Sequence, residues 1–238
     1  MMRLVLVAVL AVTGIAGEVV LARNRPFGGP AVAESVFAAF GGLRSIASEV
    51  IWFRADRLQE SGRYVELAQL AHALTLAEPH TPEVWSYAAW NLAYNVSVMM
   101  PTAEDRWRWV SSALTLLRDE GLRYNPRSAA LYLELARFFE LKLGIDIDDA
   151  AATYRARWRE IVEDVARRDA WQELKMEPSA MAELETKTGL VDRGDPLYSA
   201  VYWGVKGLAF AGDNDRRALT DVLRQSVALY FKNRKDRR

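Results

Sequence analysis

The sequence predicts an all-α protein, and three observations carry that expectation. Apolar residues recur at helical spacing through almost the whole chain. Helix breakers divide it at intervals, at Gly62, Pro79, Pro101, Gly121, Pro126, Gly144, Pro178, Gly189, Pro196 and Gly212. No run alternates apolar and polar residues as a half-buried strand would. Acidic or hydroxyl residues sit where helices should begin, as in Thr81-Pro82-Glu83, Thr102-Ala103-Glu104 and Asp213-Asn214-Asp215. The expected helices span 3–22, 31–40, 43–61, 63–77, 82–99, 103–123, 128–143, 147–173, 179–188, 196–211 and 214–233.

The first element is apolar. Leu4 to Gly17 is uncharged for 14 residues, and Leu4 to Ala22 makes a run of 19 interrupted by Glu18. At 1.5 Å per residue the longer run reaches about 28 Å, close to the hydrocarbon thickness of a bilayer. Residues 1–23 are therefore expected to form one N-terminal transmembrane helix, with a cleaved signal or an ordinary buried helix as alternatives. Arg3 at one end and Arg23 and Arg25 at the other leave the positive-inside rule nearly tied. A short apolar segment at the N-terminus usually exports the domain behind it, which places the body on the extracytoplasmic, periplasmic side. Residues 24–30 contain two prolines and two glycines and read as a linker. Residues 31–238 form the expected helical domain.

Composition narrows the function. Lys and Arg number 31 and Asp and Glu number 31, so no net charge draws the chain to nucleic acid. Apolar residues make up 51% of the chain, enough for a sizeable core and too many for wholesale disorder. The absence of cysteine removes disulfides, thiolate nucleophiles, thiolate zinc sites and iron–sulfur clusters. His72 and His80 are eight residues apart and make no helical metal pair; the expectation is a partly buried His72 and a loop His80.

Within the body, Ile51 to Pro79 has a small residue at a turn, Gly62-Arg63-Tyr64, then a helix with Leu67, Ala71 and Leu74 at core spacing, then a closing proline. This pattern resembles the tetratricopeptide repeat, a family of antiparallel helix pairs of about 34 residues. Glycine permits the reversal, Tyr64 is expected to pack between the helices, and Pro79 stops the second helix. A second unit opens with Trp85, Ala88, Ala89 and Leu92 and closes at Asn125-Pro126. Residues 48–81 and 82–126 are the best repeats. Ala129 to Tyr132 opens a third unit, paired with the helix carrying Tyr154, Trp158 and Ile161, and Tyr198–Ala211 with Leu219–Phe231 suggests a fourth. Pro79 to Pro126 is 47 residues, longer than the family's unit, and 167–195 fits no unit. Gly42 to Ala47, Arg54-Ala55-Asp56 and Ala93-Tyr94-Asn95 are also similar to membrane-anchored repeat proteins of bacteria.

The resemblance implies a groove, lined by the first helices of successive repeats, that binds a partner protein. It would place Glu49, Trp52, Asp56 and Gln59 there from the first repeat, and Ser86, Trp90, Ala93 and Tyr94 from the second. The competing reading makes Trp52, Trp90 and Tyr94 core residues. Asn95-Val96-Ser97 matches a glycosylation sequon within a helix, and Asn95 is read as bonding across helices.

No catalytic set is evident. Gly-x-Ser-x-Gly, phosphate-binding glycine loops and His-Glu-x-x-His are all missing. Asp146, Asp148 and Asp149 lack the glycine and terminal glutamate of a calcium loop and are expected to cap the following helix. Glu134 and Glu140 are the candidates for an alternative, a cell-wall-acting helical glycosidase. Lys232 to Arg238 holds five basic residues and one acidic, read as a solvated helix end or a contact for anionic headgroups. The leading expectation is a non-enzymatic, single-pass anchored scaffold or accessory subunit of a membrane assembly, without cofactor or metal; another is a subunit packing laterally on integral membrane proteins.

Overall fold

A computed structural model describes residues 57, 58 and 60–236. The anchor, the linker, the first expected helices and the positions Glu49, Trp52, Asp56 and Gln59 lie outside the described residues, as does the side chain of Tyr64. The described part is helical throughout and contains no strand.

Gly62 opens the first reversal at φ 69°, a left-handed value that suits a residue without Cβ. Helix α1 (Tyr64–Ala77) comes next and buries Leu67, Ala71 and Leu74. Pro79 ends it, and α2 (Pro82–Trp90) begins with proline in its first turn, where the missing N–H costs nothing. Helix α3 (Ala103–Thr115) is capped by Thr102, whose Oγ1 accepts from the Asp105 N–H at 3.1 Å and donates to its carboxylate at 2.7 Å. The turns at Pro79 and Asn125 meet: the Pro79 carbonyl accepts from Trp85 Nε1 and from Asn125 Nδ2, both at 2.8 Å.

Helix α4 (Ala129–Arg137), capped by Ser128, lies at the centre, packed against α2, α7 (Pro196–Leu208) and α8 (Asp213–Asp236). Helix α7 is apolar nearly all round, and Leu197, Tyr198, Ala200, Val201, Tyr202 and Trp203 are each at most 2% exposed. A helix with that pattern belongs inside. Two glycines let its neighbours close in. A Cβ on Gly207 would lie 2.7 Å from Tyr132 Cβ, and one on Gly204 would lie 2.9 Å from Leu223 Cδ2. The third expected pair is thus modified. α4 packs most extensively on α7, while α5 (Ala151–Arg168) meets its C-terminal extension, with the Phe139 and Trp158 rings 4.7 Å apart.

Three helices widen into π-helical segments: Asn91–Val96 after α2, Leu116–Gly121 after α3 and Phe138–Gly144 after α4. The last two end at glycines in tight places. A Cβ on Gly121 would sit 3.3 Å from Trp85 Cβ, and one on Gly144 would sit 2.7 Å from Leu197 Cδ2.

Several expectations are corrected. The helix expected over 147–173 starts only at Ala151 and stops at Arg168, because Asp169 adopts φ 51°. A 3-10 turn (Trp171–Leu174) comes after it, then α6 (Pro178–Thr188). His72 is exposed rather than partly buried. Asn95 bonds within its own segment, donating to Asn91 Oδ1 at 2.9 Å, not across helices. The acidic run makes no side-chain cap of α5 and places no carboxylate in its first turn; instead Asp146 pairs with Arg155 at 2.6 Å, Asp148 with Lys142, and Asp149 with Arg106.

Candidate interaction site

Ser86, Trp90 and Tyr94 fall at successive turns of α2 and its π-helical extension. Ser86 is half-buried, and Ala93, expected in the same groove, is instead fully buried in the core. Trp90 is 41% exposed, a large fraction for an indole. It is not loose, because its ring stacks on Tyr94 with centroids 5.8 Å apart and planes at 24°. Tyr94 in turn meets Phe138 edge-on at 5.6 Å. The reading of Trp90 as core therefore fails, while Tyr94 is a half-buried support that joins the indole to α4.

Beneath Tyr94 lies a buried charge cluster. Lys142 Nζ sits 4.8 Å from the Tyr94 ring centroid and 5.7 Å from that of Tyr154. The same ammonium pairs with Asp148 Oδ2 at 2.5 Å. Tyr154 donates to that oxygen at 3.2 Å, and the Ala150 N–H donates to Oδ1 at 2.9 Å. Arg106 pairs with Asp149 and lies 3.5 Å from Asp148 Oδ1. Burial pushes the Asp148 carboxyl up, but these donors outweigh it and hold it down at about 2. The Tyr94 hydroxyl is pushed up, first by burial and then by the negative charges of Glu134 and Asp148. Both aromatic hydroxyls remain protonated at neutral pH, over a network of paired charges.

Sequence reasoning missed Arg106, Phe138, Lys142 and Tyr154 as parts of this site. One signal was available: Lys142 stands in the apolar run Phe138-Phe139-Glu140-Leu141-Lys142-Leu143, where an ammonium requires a buried partner. The π-helical turns were not visible, yet two of them carry the site, because Tyr94 lies in the first and Phe138 and Lys142 in the third. Asn91 is fully buried beside it, with Nδ2 unpartnered.

The glutamates weighed for catalysis sit apart in character. Glu140 is only 2% exposed, with Oε1 unpartnered and Ser226 of α8 beside it, and burial pushes its carboxyl up. Glu134 is half-buried and also pushed up by burial, opposed by Arg137. Among the described residues, no three His, Asp or Glu side chains are grouped to hold a metal ion, and no helix is long and apolar enough to cross a membrane. The chain matches no family model, no curated protein and no solved structure.

Proposed function

We propose that the protein is a membrane-anchored scaffold or accessory subunit with a tetratricopeptide-like helical body, which binds a partner protein through the face carrying Ser86, Trp90 and Tyr94. One observation carries this reading: an indole 41% exposed yet held in place by stacking on Tyr94. A pre-ordered aromatic side chain loses little conformational freedom on binding, and tryptophan and tyrosine are the usual anchors of interfaces. Val98 and Met99, both exposed in the adjoining 3-10 turn, extend the apolar character of this segment. The apolar N-terminal run supplies the membrane attachment in this reading, with the body on the extracytoplasmic side.

The test is affinity purification of the tagged full-length protein from solubilised membranes, beside the Trp90→Ala and Tyr94→Ala variants. The expected result is a reproducible partner recovered with the parent chain and depleted with Trp90→Ala. A partner retained equally by both variants, or none recovered reproducibly, overturns the proposal.

A further inference from the structure

The C-terminal end of α8 joins an apolar edge to a cationic one, using none of the residues of the Trp90 site. Tyr230 is buried, and its hydroxyl oxygen accepts from the N–H groups of Val191 at 3.2 Å and Asp192 at 2.9 Å. These bonds clamp the loop after α6 onto this end of α8. Phe231 lies against the same loop, since a Cβ on Gly189 would be 3.7 Å from its Cζ. Val191, 61% exposed, and Phe231, 39% exposed, are thereby held at one edge of the fold. Lys232, Arg234 and Lys235 come directly after, with the Arg234 guanidinium 5.9 Å from the Tyr230 ring centroid. Residues 232–238 carry five cations against the single carboxylate Asp236.

Basic residues at a helix C-terminus complement the helix dipole, which accounts for the charge. It does not account for two exposed apolar side chains beside it. Two such residues make too small a core for a stable protein interface, which needs about 800 Å² from each partner. Adsorption to a bilayer has no such threshold. A few apolar side chains entering the interfacial layer add to a diffuse attraction between long basic side chains and headgroups. We propose that this end of α8, with the loop at Gly189–Val191, rests on a bilayer surface bearing anionic headgroups. Val191 and Phe231 enter the interface, and Lys232, Arg234 and Lys235 meet the headgroups.

The chain has no cysteine, so Ala228→Cys, exposed one turn before Phe231, creates a unique labelling site. The full chain carrying an environment-sensitive fluorophore there is mixed with vesicles of phosphatidylcholine, or of phosphatidylcholine with phosphatidylglycerol. The N-terminal run and its flanking arginines are common to every variant, so the comparison with K232E/K235E isolates the charge of α8. A blue shift is expected on the phosphatidylglycerol vesicles only. It is reversed by molar salt, lost in K232E/K235E and reduced in F231S, with circular dichroism confirming that the variants are folded. An equal response on both vesicles, or a full response from K232E/K235E, overturns the proposal. So does a shift produced by soluble polyglutamate but not by vesicles, which would assign the surface to an acidic protein. Trp90→Ala leaves the vesicle response unchanged, so failure here and failure of the partner reading are distinguishable.

Discussion

The buried charges set the energetics at the scale of single residues. Lys142 is almost wholly buried and depends on Asp148 for its counter-charge. Asp148→Asn leaves that ammonium unpaired in the interior and is expected to destabilise the fold by about 3 kcal/mol, read by chemical denaturation. The pH dependence has a definite sign. Asp148 is depressed in the folded state, so its contribution is complete above the ordinary aspartate value of about 3.9 and is lost as pH falls through its folded value. Glu140 has the opposite sign. Its carboxyl is raised by burial, so the folded state holds the proton longer, and stability falls as pH rises above the ordinary glutamate value of about 4.3. Glu140→Gln is expected to melt above the parent at neutral to alkaline pH, with the gap closing below that value; a gap independent of pH would contradict a buried, proton-retaining carboxyl. The single-residue chemistry was only half legible in the sequence. The acidic run at 146–149 was visible, but its role was misread because Arg106, its partner, is more than forty positions away.

The helices were far more legible, because local rules decide where they begin and end. Proline in the first turn of α2 and Thr102 before α3 act where the sequence places them, whereas Thr81 makes no side-chain cap bond and Asp195, which caps α7, was not singled out. The local rules missed departures set by tertiary contact. Asp169 takes a left-handed conformation that glycine or asparagine would have signalled more plainly, and the π-helical turns carry no local sequence signal of this kind. The pairing of α4 with α7 was hidden, since nothing in the local sequence marks Gly204 and Gly207 as points of close approach. In the fold they are contact points, and Gly207→Ala tests this. Its Cβ would meet Tyr132 Cβ, an atom that moves only with the backbone of α4. On an exposed helix the same change would stabilise by about 1 kcal/mol through better helix propensity. Here overpacking is expected to win and cost about 1–3 kcal/mol, seen as a lowered Tm.

At the scale of the whole molecule, the two tryptophans of α2 separate the packing of the helices from the proposed partner site. Trp85 is buried, donates to the Pro79 carbonyl and stacks on Tyr124 at 5.7 Å, so it ties the turns at Pro79 and Asn125 together. Trp90 lies one and a half turns further along the same helix, which rotates it to the opposite face, and it is the exposed one. Helical spacing with Ala88, Ala89 and Leu92 marks Trp85 as a core position in the sequence. It could not decide Trp90, because an aromatic residue between two helices and one facing a partner have the same spacing. Truncating each gives opposite outcomes. Trp85→Ala should cost about 3–5 kcal/mol of stability, as for other large core residues, and reduce partner binding only through loss of folded protein. Trp90→Ala should leave the fold within about 1 kcal/mol of the parent, because only its stack on Tyr94 is lost. Its partner affinity should fall about tenfold or more, as expected for an interface anchor. Thermal denaturation and a binding titration on the same preparations separate the two. A large drop in Tm from Trp90→Ala would show that the indole belongs to the packing of the helices, and the partner site would have to be sought elsewhere on the molecule.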